Sequence, residues 1–345
     1  MVYDSYRFYI LKFILAFFMN RQRFLVTGGA GFIGSHLVDA LLEAGHTVTV
    51  LDDLSVGKPQ NFAHQLAHPH FHFVEGSILD KALVKQLVAQ VDGIYHLAAV
   101  VGVKYVVENP LHGMQVNVRG TETILEAACA QQCKVVLASS SEIYGKSARV
   151  PFAEEDVTVL GPTSVPRWSY AISKLLDEHM AFAYSRQEGL PATAVRYFNA
   201  YGPRLDPRGY GSVIARFINQ ALDGQALTVY GDGQQTRAFT FVADTVRGTI
   251  AAMETPESAG QAFNIGNPRE ITMNELAAQI RESVGADVDI IHVPYAQAYG
   301  VAFEDTPRRL PNVTRAAEIL GFRATTSLEE GLRQTILWFK EHRHA

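Results

Sequence analysis

The sequence predicts an α/β fold, a doubly wound parallel sheet with a smaller C-terminal domain. Three observations predict it. Short apolar runs alternate with helical patterns through the first two hundred residues. The first run, Phe24-Leu25-Val26, passes through the glycine-rich stretch Thr27–Gly34 straight into a helical pattern, Ser35–Leu42. The second, Thr47–Leu51, ends on an acid, Asp52.

Taken in order, strands are expected at 23–27, 47–51, 71–74, 93–97, 134–138 and 192–196, and helices at 33–44, 80–89, 113–131 and 167–188. The character changes near residue 200. Loop sequence leads to a helix at 213–222, a strand at 227–230, a strand at 238–242, a helix at 243–253, and helices near 272–284 and 327–341. The expected division is a cofactor domain over 19–200 and a substrate domain over 201–345, with 238–262 returning to the first. Residues 1–18 read as a non-native or disordered extension upstream of Met19. Their apolar run, Phe8–Phe18, is broken by Lys12 and is short for a membrane span, so a peripheral membrane tail is the alternative.

Bulk composition narrows the class. A chain of 345 residues that is 48% apolar and 19% charged can bury a large core. A net charge of −5 with dispersed basic residues argues against a nucleic-acid surface. Cys129 and Cys133 are too few for a disulfide framework or a zinc site, and read as half-buried, reduced thiols of a cytoplasmic protein. His64, His68, His70 and His72 lack carboxylates or thiols spaced to complete a metal site, so no metal is expected.

Strand, glycine turn, helix and a following acid fit a dinucleotide site. Gly28 permits the tight turn, Gly31 the approach of a pyrophosphate, and Gly34 close packing of helix on strand. Asp52, 18 residues after Gly34, suits an adenosine ribose. It would repel a 2′-phosphate, which favours NAD over NADP.

Two later stretches supply chemistry. Ser139-Ser140-Ser141-Glu142 follows the strand at 134–138, and Tyr170 and Lys174, four residues apart, share a helix face. An ammonium beside a phenol, together with a nicotinamide cation, favours the phenolate and makes Tyr170 a usable base. Lys174 can also hold the nicotinamide ribose, and Ser140 can orient the same substrate hydroxyl.

These motifs, with HLAA (96–99), RYFNAYGPR (196–204), LTVYGDGQQTRAF (227–239) and FNIGNP (263–268), resemble the extended short-chain dehydrogenase/reductases of the nucleotide-sugar epimerase/dehydratase/decarboxylase group. The resemblance implies a Rossmann fold, bound NAD, a nucleotide-sugar substrate, most simply UDP-linked, and a homodimer joined through helices 113–131 and 167–188. It implies catalytic roles for Ser140, Ser141, Glu142, Tyr170 and Lys174. It implies cofactor contacts from Gly28, Gly31, Phe32, Ile33, Gly34, Asp52, Leu97, Ala98, Ala99, Tyr170 and Lys174. Asn199, Arg237 and Arg309 would hold the substrate diphosphate, for which forked guanidinium donors are suited. Lys104 could neutralise a uronate carboxylate.

All members would begin by oxidising sugar C4. Ser141-Glu142 is similar to UDP-glucuronate decarboxylases and also to GDP-mannose dehydratases; the stretch around Arg309 and LTVYGDGQQTRAF resemble the decarboxylases more, which makes that the leading expectation. Val103-Lys104-Tyr105 and LDDLSVGKPQNF (51–62) look more like a UDP-sugar 4-epimerase, the first alternative, and a 4,6-dehydratase is the next. A non-catalytic NAD-sensing protein is the reading outside enzymes. Such proteins commonly lose the Tyr–Lys pair, and this chain keeps it.

Overall fold

The computed structural model describes residues 21–102, 109–206, 212–295, 297 and 306–342. The 1–18 extension and Lys104 lie outside them.

Seven strands form the central sheet: β1 (Arg23–Thr27), β2 (Thr47–Asp52), β3 (Phe71–Glu75), β4 (Gly93–His96), β5 (Lys134–Ser140), β6 (Ala192–Tyr197) and β11 (Ala262–Ile265). They are parallel throughout, in the order β11-β6-β5-β4-β1-β2-β3. Between them run α1 (Phe32–Glu43), α2 (Lys81–Val88), α3 (Pro110–Gln131) and α4 (Trp168–Glu188). Parallel strands covered on both faces should be apolar along their length. Here Phe24, Val26, Val48 and Val50 pack with Leu37, Val38, Leu41 and Leu42 of α1 on one face. Leu25, Leu51, Ile94, Val135 and Leu137 meet Val84, Leu87, Ile124, Leu125 and Ala181 on the other.

The remaining elements are β7 (Ala200–Tyr201), α5 (Val213–Leu222), β8 (Leu227–Tyr230), β9 (Thr236–Ala238), β10 (Thr240–Phe241), α6 (Val242–Glu254), β12 (Glu270–Thr272), α7 (Met273–Val284), β13 (Ile290–Val293), β14 (Arg308–Arg309), α8 (Thr314–Ile319) and α9 (Leu328–His342). The first core cluster runs on into this half through Phe217, Ile218, Leu276, Ile280, Leu332 and Ile336.

Four expectations need correction. The strand expected at 238–242 is two, because the chain changes partners at Phe239. Residues 236–238 pair with β12 and β14, residues 240–241 pair with β7, and Val242 already opens α6. Phe263 and its neighbours form a seventh sheet strand, beside β6. Four residues, one of them the polar Asn264, carry no periodicity of their own, so this strand shows only once β6 is there to pair with it. The helix expected from 113 starts at Pro110, whose missing N–H suits a first turn. Cys133 is buried rather than half-buried, and both cysteines are free.

Candidate active site

In the strand order, neighbours diverge between β1 and β4, and the carboxyl ends of those strands open a crevice. A cavity of about 700 Å³ lies there. Gly28, Gly31, Phe32, Ile33, Gly34, Asp52, Leu97, Ala98 and Ala99 line one part; Ser140, Ser141, Glu142, Tyr170, Lys174, Asn199 and Arg309 line the rest. The sheet register produces this gathering: Thr27 is level with His96, and Ser140 with Tyr197.

The glycine turn has steric reasons for its composition. Gly28 has φ +72, and a Cβ there would stand 2.7 Å from the Ala98 amide nitrogen. A Cβ at Gly34 would run into the Gly28 carbonyl, whereas one at Gly31 would meet only that carbonyl, at 3.2 Å, and otherwise fill the cavity. Gly31 caps α1, whose first amides have no intrahelical acceptor. Asp52 is buried, and its carboxylate accepts from the amides of Ala30 (3.0 Å) and Leu54 (2.9 Å). Burial pushes its carboxyl up, against those two hydrogen bonds.

At the end of β5 the chain enters a 3-10 turn, Ser141–Tyr144, with Ser140 Oγ accepting from the Glu142 amide at 3.2 Å. Tyr144 anchors the turn from below, donating to Asn264 on β11 and accepting from Arg196 on β6. Glu142 therefore faces the cavity from a rigid base. It is held between two buried arginines, Arg309 Nη1 at 2.7 Å from Oε1 and Arg167 Nη2 at 3.3 Å from Oε2. Burial pushes its carboxyl up, but the two arginines outweigh that and hold it at about 2. Glu142 is thus an anion at neutral pH.

Tyr170 is half-buried and its hydroxyl hydrogen-bonds with Ser140. Burial and the Glu142 and Asp177 carboxylates push the phenol above its ordinary value, while the Ser140 hydrogen bond pulls it down. The ammonium of Lys174, buried on the same helix, is 3.3 Å from Asp177 Oδ2. The Lys174 ammonium therefore has a carboxylate partner that the sequence reading left out.

The other expected residues sit at varied distances from this centre. Asn199, at φ +40, donates from Nδ2 to the Ala238 carbonyl at 2.7 Å and lines the cavity. Arg237, buried on β9, donates to the Thr236 carbonyl and adds positive potential at Glu142. His64 pairs with Asp39, and no group of His, Cys, Asp or Glu that could hold a metal occurs among the described residues.

Residues 24–266 match the NAD dependent epimerase/dehydratase family. The chain belongs to that family. It is 45% identical over 321 residues to a UDP-N-acetyl-alpha-D-glucosaminuronate decarboxylase of Bacillus cytotoxicus, covering 93% of this chain and 98% of the relative. It is 38% identical over 322 residues to UDP-glucuronic acid decarboxylase 1 of Xenopus tropicalis, covering 93% and 73%. Among solved structures, a UDP-glucuronic acid 4-epimerase from Bacillus cereus in complex with UDP-glucuronic acid and NAD superposes with a TM-score of 0.83 at 29% identity, covering 93% of this chain and 99% of the other.

The family's cofactor is NAD, and the site fits it. The face of Gly31 that a side chain would fill lies against the first amides of α1, a combination suited to a pyrophosphate. Asp52 presents its carboxylate at the end of the next strand. Arg167 and Asp177 escaped the sequence reading. Arg167 stands three residues before Tyr170, one helical turn, and that spacing is the signal that could have found it. Asp177 stands three residues after Lys174, within the same reach.

Proposed function

We propose that this family member is a nucleotide-sugar uronate decarboxylase. On this reading it oxidises C4 of a UDP-linked hexuronate and releases the C6 carboxylate as carbon dioxide. The observation that carries it is the Arg309–Glu142–Arg167 cluster on the cavity wall beside Tyr170. Two guanidinium groups against one carboxylate leave net positive charge, which complements a substrate carboxylate. The similarity to two uronate decarboxylases supports the same reading.

The mechanism follows from the side chains. Tyr170 removes the proton of the C4 hydroxyl, and Ser140, bonded to the same phenol, fixes that hydroxyl's orientation. Bound NAD supplies the hydride acceptor, and its nicotinamide charge favours the phenolate that burial opposes. Lys174 holds the nicotinamide ribose. With a ketone at C4, the C5–C6 bond breaks; its electron pair forms the C4–C5 enolate, the carboxylate carbon leaves as carbon dioxide, and protonation at C5 with return of the hydride to C4 and of the proton from Tyr170 to the C4 oxygen would close the cycle. Arg309 and Arg167 hold the carboxylate in place until that bond breaks. Glu142, ionised at neutral pH, keeps the arginines spaced rather than donating a proton. Asn199 and Arg237 are assigned to the diphosphate; Arg309, expected there from the resemblance, is assigned to the carboxylate instead because it pairs with Glu142 at 2.7 Å.

Incubation with UDP-glucuronate, UDP-N-acetylglucosaminuronate, UDP-glucose and dTDP-glucose, read by mass spectrometry, tests this. Loss of carbon dioxide from either uronate supports it. An isomer of unchanged mass establishes the epimerase, which the Bacillus cereus likeness favours, and loss of water establishes a dehydratase. We further read the protein as a cytoplasmic homodimer. α3 and α4 pack together and carry exposed Leu111 and Leu176, suited to a four-helix interface. Light scattering on the purified protein checks the dimer.

A further inference from the structure

A buried hydrogen-bond chain runs beneath the cavity to Lys174. The Ala98 amide donates to Thr27 Oγ1 at 3.2 Å, Thr27 Oγ1 lies 2.7 Å from His96 Nδ1, and His96 Nε2 lies 3.1 Å from Thr121 Oγ1. Burial pushes the Asp177 carboxyl up, against the Lys174 ammonium, 3.3 Å from Oδ2, and a hydrogen bond from Thr121. Thr27, His96, Thr121, Lys174 and Asp177 are all buried.

Donor arithmetic gives this chain one direction. Burial and the nearby Lys174 push His96 down to about 3, so the ring is neutral and has one N–H. With Asp177 as the anion that pairs with Lys174, the Thr121 hydroxyl donates to it, the Thr121 oxygen accepts from His96 Nε2–H, and Nδ1 accepts from the Thr27 hydroxyl. Among the described residues Oδ1 has no hydrogen-bond partner, so the ammonium at 3.3 Å is what balances this charge.

We propose that Asp177 is a positioning residue for the Tyr170–Lys174 site: anchored through Thr121 and His96 to the end of β1, it fixes the Lys174 ammonium and offsets its charge. The inference rests on the catalytic reading of Tyr170 and Lys174. Burial is the main reason the phenol stays protonated, and the Glu142 and Asp177 carboxylates add to it. The charged and titratable groups facing the pair are Tyr170 and Glu178 on α4, His96 on β4 (reached through Thr121 on α3), and Glu142 in the 3-10 turn. Asp177 and Glu142 both oppose phenolate formation, so loss of the Asp177 charge lowers the pH at which Tyr170 ionises.

The test is Asp177→Asn, which preserves shape and removes charge. Near-ultraviolet absorbance titration of the purified protein, with the Tyr170→Phe trace of the same background subtracted, reads Tyr170 alone and needs no turnover. The expected shift is downward, on the order of one pH unit. The acid limb of the kcat profile should move the same way, whatever the effect on the plateau rate. Asp177→Ser also removes the charge and should move the titration in the same direction. It also serves if Asp177→Asn fails to fold. An unmoved phenol titration in either folded variant overturns the proposal and assigns Asp177 to packing. Because the titration uses no nucleotide sugar, that failure is distinct from failure of the decarboxylase reading.

Discussion

On one wall of the cavity, the stretch Gly28 to Gly34 meets a ligand largely with amides and missing side chains, and Asp52 and the segment Leu97–Ala99 complete it. On the other wall they are side-chain charges from segments far apart in the chain: Glu142 after β5, Arg167 before α4 and Arg309 on β14. The first wall is more local, built where β1 turns into α1 beside the ends of β2 and β4. The second exists only when the late segment around residue 309 has docked. A backbone wall serves a constant ligand, the cofactor; an assembled wall of charges can be re-specified residue by residue for different sugars. The difference also separates how each wall should fail.

The largest expected effect is at the junction of the two walls. Tyr170→Phe should lower kcat between about a hundredfold and ten-thousandfold, as for loss of a general base, with NAD retention and thermal stability unchanged. Unchanged turnover would remove Tyr170 from the mechanism.

The assembled wall should fail through stability as well as rate. Glu142→Gln leaves two buried guanidinium groups without their carboxylate, and breaking such a pair destabilises by about 3–5 kcal/mol. With the Glu142 side chain 18% exposed, the lower end is expected, measured by denaturant unfolding. The same group gives a pH signature. Its carboxyl is held at about 2 against an ordinary 4.5, so its contribution is complete above 4.5 and is lost as pH falls toward 2. The variant should show a flatter stability curve across that interval; an identical acid limb would mean that the arginines do not hold Glu142 in solution.

The backbone wall should fail sterically. Gly34→Ala forces a methyl against the Gly28 carbonyl and should cost about 1–3 kcal/mol, the range for overpacking, while also loosening NAD. Full retention of NAD after purification would show that the turn can relax. The smallest effect is expected at an exposed ion pair outside both walls. Arg308→Gln removes the 2.7 Å contact with Glu270 and should change stability by less than about 1 kcal/mol, with activity intact. A larger effect would mean that β14, and with it Arg309, is held from its solvent side.

The same contrast explains what could be read without coordinates. The glycine turn, the acid at the end of β2 and the Tyr170–Lys174 spacing are short-range patterns whose chemistry is fixed by separations of a few residues, so they are legible in the chain. The six leading strands are legible because both faces of a parallel sheet must be apolar. Glu142 is legible as a residue but its state is not: nothing local says that Arg309, 167 positions later, lies 2.7 Å away. Arg167 and Asp177 were hidden for another reason. A charged residue one turn from a motif is on most helices a solvated one, and only burial tells the two cases apart. β11 and the break at Phe239 depend wholly on the partners available in the folded protein.

That seventh strand has a practical corollary. Since β11 enters the sheet beside β6 after some sixty residues spent elsewhere, the early and late parts of the polypeptide are interleaved rather than strung end to end. A truncated product ending near residue 200 would leave a raw β6 border open to intermolecular pairing. Such a fragment should precipitate rather than serve as a stand-alone nucleotide carrier, and grafting the late half onto a different scaffold would have to bring its share of the sheet along.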